Sequence, residues 1–526
     1  MELVMTPRRI LERACKLFPR KEAIHCGHSH HTYAEFGDRV NRLSHALSLL
    51  GVRQGDRFAF LSPNCHRLLE AYFAAPMLGA ILVPLNIRLS ASELAFILDD
   101  AGVGVLFVHP DLEALASQVA VLSTTPRHIV PLWSEDRAVT TYDSLIDGVT
   151  AGPYPSPPIR ESDVVEIFYT SGTTGRPKGV MLSHRNVYAL ALQVAAQLPV
   201  TESDVFLHSL PMYHANGWGG PHTATFMGAS HVIVPYPRAE LVAQAARTHG
   251  VTLAYMVPTM VIQLLNHRDV GREDLTSLTR LVVGGSAPSP ALARTLAEDW
   301  GCRLIGAYGL TEHSPVATFA QPPSFRTDMS PDEMYRLMCT AGQPMAGVEV
   351  RVVNETGKDV PADGHASGEV WLRSDTVMVG YWNRPDATIS AIQDGWLRTG
   401  DIGTITPDGF LDIVDRMKDV IVSGGENISS IEIENALYEH PAVLECAIIA
   451  IPDDYWGERP LAFVVPKEGD ALDDAVLRQW CEARLSRFKI PASFRTVTEL
   501  PKTGTGKIQK NVLRREFWGN SAKQVH

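Results

Sequence analysis

The stretch that most constrains this chain is YTSGTTGRPKG, which occupies residues 169–179. It combines three glycines, four hydroxyl side chains between Thr170 and Thr174, and the cation Lys178, directly after the run 164–168, which is apolar except for Glu166. Glycines let backbone N–H groups approach an anion closely, and small hydroxyl side chains add hydrogen-bond donors without bulk. The stretch therefore predicts a strand followed by a loop that binds a polyphosphate.

Two features of this stretch separate it from other phosphate loops. A Walker A motif would need a glycine where Pro177 stands. Residues 179–182 have the pattern of a second strand, and a helical pattern begins only near Ser183. We therefore predict a loop between two strands, for which the alternative is an ordinary glycine-rich surface hairpin.

The stretch resembles the phosphate loop of the adenylate-forming superfamily, which contains acyl-CoA synthetases, luciferases and the adenylation domains of peptide synthetases. PMYHANGW (211–218), MCTAGQP (338–344) and SGGENISS (423–430) make the chain most similar to medium- and long-chain fatty acyl-CoA ligases. The resemblance covers nearly the whole chain from Thr32 onward. It implies an N-terminal domain, residues 1–414, that binds ATP and the acyl group, and a small mobile α+β C-terminal domain, residues 415–526, that carries a catalytic lysine.

Residue patterning is consistent with an α/β fold. Helix and strand alternate over residues 32–108 and again over 205–305, on the two sides of the phosphate loop. Two capping-box sequences, Thr32 with Glu35 and Ser90 with Glu93, mark helix starts in the first block. We predict two packed α/β subdomains and, because the alternation stops after Cys339, a small β subdomain before the C-terminal domain.

Composition limits the partners and the compartment. The 526 residues allow about three to four domain-sized units. A net charge of −12 argues against nucleic acid as a partner. Seven cysteines without a CxxC pair, and a start without a long apolar core, predict a cytoplasmic protein with no signal peptide or transmembrane segment. A monomer, a homodimer and peripheral contact with a membrane all stay open.

A histidine-rich segment invites a metal-site interpretation. Residues 25–31 read HCGHSHH, which is five potential ligands in seven residues. Their spacing matches no closed zinc site. Gly27 and His28 suit a tight turn, so we predict a hairpin of two edge strands and expect only adventitious metal binding.

The resemblance implies the nucleotide contacts. The turn after residues 282–283 is similar to the family's adenine-binding turn, although an ordinary strand-to-helix connection is the alternative; YGLTE at 308–312 matches the second nucleotide motif, with Tyr308 stacked on adenine. Thr170 and Glu312 would hold Mg²⁺. The implied ATP contacts in these motifs are Thr170, Ser171, Gly172, Thr173, Thr174, Gly175, Lys178, Gly285, Ser286, Ala287, Pro288, Ala307, Tyr308, Gly309, Thr311 and Glu312.

Residues 205–237 contain no Asp, Glu, Lys or Arg, which fits either buried core or the wall of an apolar pocket. Glycines around Trp218 favour the pocket. By resemblance this region forms an acyl pocket with His214, Trp218, Gly284 and Gly309, and His214 lies near the reacting carboxylate. The Asp that amino-acid-activating relatives commonly carry here is absent.

Further family motifs follow in the last third of the chain. By resemblance Asp401 accepts the ribose hydroxyls, Arg416 reaches ribose or phosphate, and Lys418 stands at the hinge between domains. The loop for coenzyme A comprises Ser423, Gly424, Gly425, Glu426 and Asn427. Lys507, in PKTGTGKI at 501–508, matches the catalytic lysine, and His214 and Glu312 complete the catalytic set.

These motifs predict an ATP-dependent acyl-CoA ligase whose substrate is a fatty acid. It would form an acyl adenylate with Mg²⁺ and release pyrophosphate, then transfer the acyl group to coenzyme A. Short or aromatic acids stay open, because spacing does not report pocket depth. A luciferase-like oxidative enzyme and a nucleotide-binding regulatory protein are the alternatives from other classes; the second would not need Lys507.

Overall fold

A computed structural model describes residues 4–150, 152–170, 176–324, 326, 328–417, 419–424, 426–453, 455–467, 469–470, 472–503 and 508–518. Within those ranges no helix is both long enough and apolar enough to cross a bilayer.

The larger of two α/β sheets has nine strands in the described part of the chain. Its central strands are parallel, and antiparallel strands lie at both ends. In spatial order the strands are Gln343–Pro344, Thr318–Ala320, Arg303–Tyr308, Arg280–Gly284, Leu253–Met256, Val205–His208, Ser230–Ile233, Glu22–Cys26 and Ser29–Thr32.

The second sheet has seven strands among the described residues and carries the phosphate loop near one edge. The strands before and after that loop pair antiparallel, and the edge strand Gly380–Tyr381 also pairs antiparallel with Lys178–Ser183. The remaining pairs are parallel. In spatial order they are Gly380–Tyr381, Lys178–Ser183, Val164–Thr170, Ile81–Leu85, Arg57–Leu61, Val103–Val108 and His128–Pro131.

Two smaller sheets follow, each with five strands as far as the chain is described. The first contains Glu349–Val353, Ser367–Arg373, Trp396–Ile405, Ile392–Gln393 and Leu411–Arg416. The second contains Glu426–Ile428, Ile421–Ser423, Gly457–Pro466, Val443–Asp453 and Ser493–Thr496. The predicted boundary between residues 414 and 415 falls inside the strand Leu411–Arg416, whose Arg416 is paired with Asp401.

Helices connect and cover the sheets. The helices that precede residue 415 are Pro7–Leu17, Tyr33–Leu49, His66–Leu78, Ala91–Ala101, Glu113–Leu122, Tyr142–Asp147, His184–Gln197, Ala215–Trp218, Gly220–Met227, Ala239–His249, Pro258–Leu265, Pro290–Glu298, Pro331–Met338 and Pro385–Ala391. Those after it are Ser430–Tyr438, Asp474–Glu482 and Lys510–Trp518. Short 3₁₀ turns occupy Pro110–Leu112, Arg272–Leu275, Thr311–His313 and Arg487–Lys489.

One continuous core joins the two large sheets. It includes Phe58 and Phe60 from the seven-stranded sheet and Phe206 and Tyr255 from the nine-stranded sheet, all at most 2% exposed. The hydroxyl of Tyr72 crosses the junction and donates to the Met212 carbonyl at 2.6 Å. The predicted fold class is therefore confirmed: two packed α/β subdomains, a small β subdomain and a small α+β unit.

Candidate active site

The phosphate loop joins two antiparallel strands, as predicted. Thr170 ends the first strand opposite Lys178, which begins the second. Five of the predicted ATP contacts lie outside the described residues: Ser171, Gly172, Thr173, Thr174 and Gly175. The Lys178 ammonium lies 5.3 Å from the ring centre of Tyr381, which belongs to the adjacent edge strand. A cation thus stands at the mouth of the loop, held against an aromatic face.

Tyr381 also contacts the carboxylate that was assigned to magnesium. Its hydroxyl donates to Glu312 Oε1 at 2.9 Å, and Glu312 lies in the 3₁₀ turn Thr311–His313. Burial raises the pKa of Glu312. No described cation lies within ion-pair distance of this carboxylate, so an oxygen-binding divalent cation such as Mg²⁺ fits it. Sequence reasoning missed Tyr381, because nothing in the local pattern links it to Glu312.

Three predicted nucleotide residues from distant segments meet beside this carboxylate. The Tyr308 hydroxyl donates to Asp401 Oδ2 at 2.7 Å, and Arg416 Nε lies 3.4 Å from Asp401 Oδ1. Asp401 is 7% exposed, and its backbone N–H donates to the Thr399 hydroxyl at 3.1 Å. The Asp401 carboxylate is therefore held in one orientation, with the Tyr308 hydroxyl on one oxygen and the Arg416 guanidinium on the other. Lys418 lies outside the described residues.

The predicted adenine turn lies at the carboxyl ends of two parallel strands. Gly284 ends one strand and is paired with Ala307 of the next. Gly285 has φ +81°, and the chain then exposes Ser286 and Ala287 before Pro288 is buried again. This is the edge at which open α/β sheets bind ligands.

A glycine is required at position 309, directly after Tyr308, because two chain segments approach each other too closely there for a side chain to fit. A Cβ at this position would meet the Pro315 carbonyl oxygen at 2.0 Å. Gly309 therefore has a packing role in addition to any contact with an acyl group.

The Trp218 side chain closes the space beside the adenine turn. A Cβ added at Gly284 would lie 3.1 Å from the Trp218 ring, and one added at Gly285 would lie 3.6 Å from it. Ala215, Asn216 and Trp218 all have positive φ, between 41° and 57°. Left-handed backbone at three non-glycine residues in one turn is strained, and such strain concentrates at functional sites. His214 directly precedes this turn and is half-buried.

A cluster of three buried polar side chains, Asn216, Glu166 and His222, contacts the backbone of the turn that contains Trp218. Asn216 Nδ2 donates to Glu166 Oε2 at 3.1 Å, and Asn216 Oδ1 accepts from the Gly219 N–H at 2.6 Å. His222 Nε2 lies 3.3 Å from Glu166 Oε1. Burial raises the pKa of Glu166 to about 8 and lowers that of His222 to about 3. Because Glu166 lies on the strand that enters the phosphate loop, this group links that strand to the tryptophan turn.

The loop that was assigned to coenzyme A is a hairpin in the C-terminal unit. Ser423 is paired with Glu426, and the Gly424 N–H donates to the Trp456 carbonyl at 2.8 Å. Gly424 has φ +59° and packs under the Trp456 ring, where a Cβ would meet the ring at 2.6 Å. Gly425 and the side chain of Asn427 lie outside the described residues.

Lys507 also lies outside the described residues, but the chain on both sides of it is placed. Lys502 and Ile508 form an antiparallel bridge. The Thr503 carbonyl accepts from Arg88 Nη1 at 3.2 Å, and Arg88 follows the strand Ile81–Leu85 of the seven-stranded sheet. Thr503, four positions before Lys507, therefore contacts the large domain. No sequence signal identified Arg88.

Sequence comparison now identifies the family. A family model described as AMP-binding enzyme matches residues 11–382, which is most of the chain. The chain belongs to the AMP-binding enzymes. A second model, described as AMP-binding enzyme C-terminal domain, matches residues 432–507. The resemblance inferred from the phosphate loop is therefore confirmed.

Relatives of this AMP-binding enzyme activate different acids. It is 40% identical over 520 residues to a long-chain-fatty-acid–CoA ligase of Thermus thermophilus, with 96% of this chain and 94% of the relative covered. It is 37% identical over 508 residues to a feruloyl-CoA synthase of Amycolatopsis sp, with 96% and 98% covered. The solved anthranilate CoA ligase AuaEII, in complex with anthranoyl-AMP, matches with a TM-score of 0.89 at 29% identity over 98% of both chains.

These findings confirm the predicted enzyme class. The chain is an acyl-CoA ligase of the adenylate-forming superfamily, and its substrates are a carboxylic acid, ATP and coenzyme A. The comparisons do not identify the carboxylic acid that this enzyme uses, because the relatives are named for fatty, hydroxycinnamic and aromatic acids.

Proposed function

We propose that this AMP-binding enzyme activates fatty acids. The observation that carries the proposal is that residues 205–237, which include the Trp218 turn beside Gly284, contain no Asp, Glu, Lys or Arg that could pair with a polar group on the substrate. A pocket lined in this way favours an alkyl chain. The identity to a relative named long-chain-fatty-acid–CoA ligase supports the same choice.

In the first half-reaction the acid carboxylate attacks the α-phosphate of ATP, and pyrophosphate leaves. Each pair of unit charges about 4 Å apart repels by ~1 kcal/mol in water and by ~4 kcal/mol at an effective dielectric constant of about 20. Several such pairs add roughly 10 kcal/mol, so cations must lie between the reactants. Lys178 would hold the leaving pyrophosphate, and Lys507 would bridge the carboxylate and the α-phosphate.

The remaining nucleotide contacts position the substrate. Asp401 would accept the ribose hydroxyls, with Tyr308 on the adenine and Arg416 beside the ribose or phosphate. His214 would lie next to the reacting carboxylate. Mg²⁺, when bound by Glu312 and Thr170, supplies further positive charge to the phosphates.

In the second half-reaction the thiol of coenzyme A must reach the adenylate in a site that excludes water. We propose that the C-terminal domain, residues 415–526, rotates about Lys418. This motion would withdraw Lys507 and bring the hairpin of Ser423, Gly424, Gly425, Glu426 and Asn427 to the thiol.

A substrate screen tests the choice of acid. AMP formation that depends on coenzyme A would be measured with straight-chain acids from acetate to palmitate, and with benzoate and ferulate. We expect the highest kcat/KM for a medium- or long-chain fatty acid. The similarity to a feruloyl-CoA synthase makes an aromatic acid the second candidate. A higher kcat/KM for ferulate or benzoate would contradict the fatty-acid proposal.

Replacing Trp218 tests the depth of the pocket. In a Trp218→Ala variant the ratio of kcat/KM for long chains to that for short chains should change by at least about tenfold, because each methylene in an apolar pocket is worth about 1–3 kcal/mol. A Trp218→Phe variant keeps part of the ring over Gly284 and should give an intermediate ratio. A chain-length profile that stays the same in both variants would show that this side chain does not limit the pocket.

A further inference from the structure

Three potential metal ligands meet away from the nucleotide site, on the inner side of the histidine-rich hairpin. His31 lies in the edge strand Ser29–Thr32, His66 begins the helix His66–Leu78, and Glu70 follows one turn later in the same helix. One ligand atom from each lies within 4.8 Å of the other two. His66 is 3% exposed and Glu70 is fully buried. The HCGHSHH motif at residues 25–31 includes His31, but nothing in the sequence indicated His66 or Glu70 as ligands.

Two of these side chains have ring nitrogens that lack a partner. His31 Nε2 and His66 Nδ1 are both buried, and neither forms a hydrogen bond within the described part of the chain. The two rings lie close together, with their centres 5.3 Å apart. Buried polar atoms almost always have a partner, so two unpaired nitrogens beside one carboxylate indicate a missing ligand.

The carboxylate of Glu70 is held in a fixed orientation. Arg39 Nε donates to Oε1 at 2.6 Å and Arg39 Nη2 to Oε2 at 3.3 Å, while the Tyr142 hydroxyl also donates to Oε2. A carboxylate offers about four acceptor positions, so one is still available to a cation. In many metal sites of proteins, side chains that do not touch the metal hydrogen-bond to its ligands and orient them, as Arg39 and Tyr142 do for Glu70.

The surrounding charge favours a divalent cation despite Arg39. A cavity of about 550 Å³ reaches His31 and Arg39 and gives a path from solvent. Around it and the three ligands, three arginines face five carboxylates, which leaves a net charge of −2. These residues are Arg39, Arg42, Arg67, Glu35, Asp38, Glu70, Asp143 and Asp147.

We propose that His31, His66 and Glu70 bind a Zn²⁺ ion. Two imidazoles and one carboxylate are a donor set that zinc uses, and a water molecule from the cavity can complete the coordination. The ion would join the edge hairpin of the nine-stranded sheet to a helix that packs on the seven-stranded sheet. It would therefore fasten the two α/β subdomains to each other.

A second group of histidines on the opposite face of the hairpin provides the control. His25 Nδ1 lies 3.1 Å from His30 Nδ1, and the ring of His249 lies 4.6 Å from that of His25. His30 is exposed, so this pair can bind adventitious metal at the surface. A double variant, His25→Gln with His30→Gln, removes it without touching the proposed ligands.

Zinc binding to the full-length, chelator-treated protein tests the proposal without ATP or an acid. Calorimetry and metal analysis after dialysis should give one tightly bound Zn²⁺ in the wild type and in the His25→Gln/His30→Gln control. In His31→Gln the affinity should fall by more than the 10- to 100-fold that follows loss of an outer-shell partner. Zn²⁺ should raise the thermal midpoint of the wild type and the control, but not that of His31→Gln.

A His66→Gln variant provides a second test, provided that its circular dichroism spectrum matches that of the wild type. Co²⁺ bound to the wild type should give a visible absorption band, and this band should be absent in both His31→Gln and His66→Gln. The proposal is overturned if the wild type binds no Zn²⁺, if His31→Gln retains the affinity, or if only the control variant loses it.

Discussion

A Lys507→Ala variant should form acyl adenylate about 10²- to 10³-fold more slowly than the wild type, as expected for loss of a group that stabilises transition-state charge. In the proposed mechanism the Lys507 ammonium would lie between the carboxylate and the α-phosphate, where neither Lys178 nor an ion at Glu312 would take its place. Pyrophosphate release in the absence of coenzyme A measures this step. Transfer from a synthetic acyl adenylate to coenzyme A should change by less than about threefold, because the proposed rotation would withdraw Lys507 from that half-reaction.

Lys489→Ala is a matched control for this variant. It removes one positive charge from the same domain, but the Lys489 ammonium already pairs with Glu432 near the surface, where an ion pair contributes little. Both half-reactions should keep the wild-type rate in the control. If Lys507→Ala releases pyrophosphate at the wild-type rate, or if both of its half-reactions slow equally, the division of roles between the domains is wrong.

Features encoded by neighbouring residues could be predicted from the sequence. The capping boxes at Thr32 and Ser90 both form, with the backbone N–H groups of Glu35 and Glu93 donating to the cap hydroxyls. The phosphate loop connects two antiparallel strands, and Gly27 lies in the tight turn of a hairpin, as its sequence indicated. Of the two hairpin strands only Ser29–Thr32 is an edge strand, because Glu22–Cys26 also pairs with Ser230–Ile233. In each case the signal and the structure lie within a few residues of each other.

Features that depend on distant segments could not be predicted in this way. The edge hairpin precedes the first alternating block but joins the sheet of the second, where Ile24 is paired with His231. The pattern of helix-forming residues already begins at Asn64, but the helix itself begins two residues later, at His66. The Asn64 side chain instead donates to the carbonyls of His208 and Leu210 and accepts from the Met212 N–H, so it ties a loop to the other subdomain.

The candidate site shows the same division. Tyr308, Asp401 and Arg416 were named from motifs, and they meet. The residues that hold the site together were missed, because Tyr381 and Glu166 act through contacts across 69 and 50 positions of the chain. Such contacts follow from the packing of the sheets and leave no periodic signal in the sequence.

Mild acid should unfold the N-terminal domain, because that domain buries histidines in the neutral form. Burial lowers the pKa of His184 and His313 to about 4 and that of His208 to about 3, and it lowers that of His231 as well. An unfolded imidazole binds a proton below about pH 6.5. The unfolded chain therefore binds protons that the folded domain does not bind. The free energy of unfolding decreases as the pH falls from about 6.5 towards 4.

The expected loss is large relative to the stability of a domain. Each such histidine contributes about 1.4 kcal/mol per pH unit, so these four alone give at least about 5 kcal/mol per pH unit, and the buried His222 adds to the loss in the same direction. Domains are stable by about 5–15 kcal/mol, which places the acid midpoint of the N-terminal domain near pH 5. Within residues 415–518, as far as they are described, His440 is the only histidine, so the C-terminal unit should unfold at a lower pH.

An acid titration followed by circular dichroism and tryptophan fluorescence measures both midpoints. A His184→Gln variant removes one of the four protons and should lower the N-terminal midpoint by about half a pH unit, provided that its stability at pH 8 equals that of the wild type. His365 is exposed, and His365→Gln should leave the midpoint unchanged because that side chain stays hydrated in the folded protein. A domain that stays folded to pH 4, or a midpoint that His184→Gln does not move, would mean that burial of these rings is not what limits stability in acid.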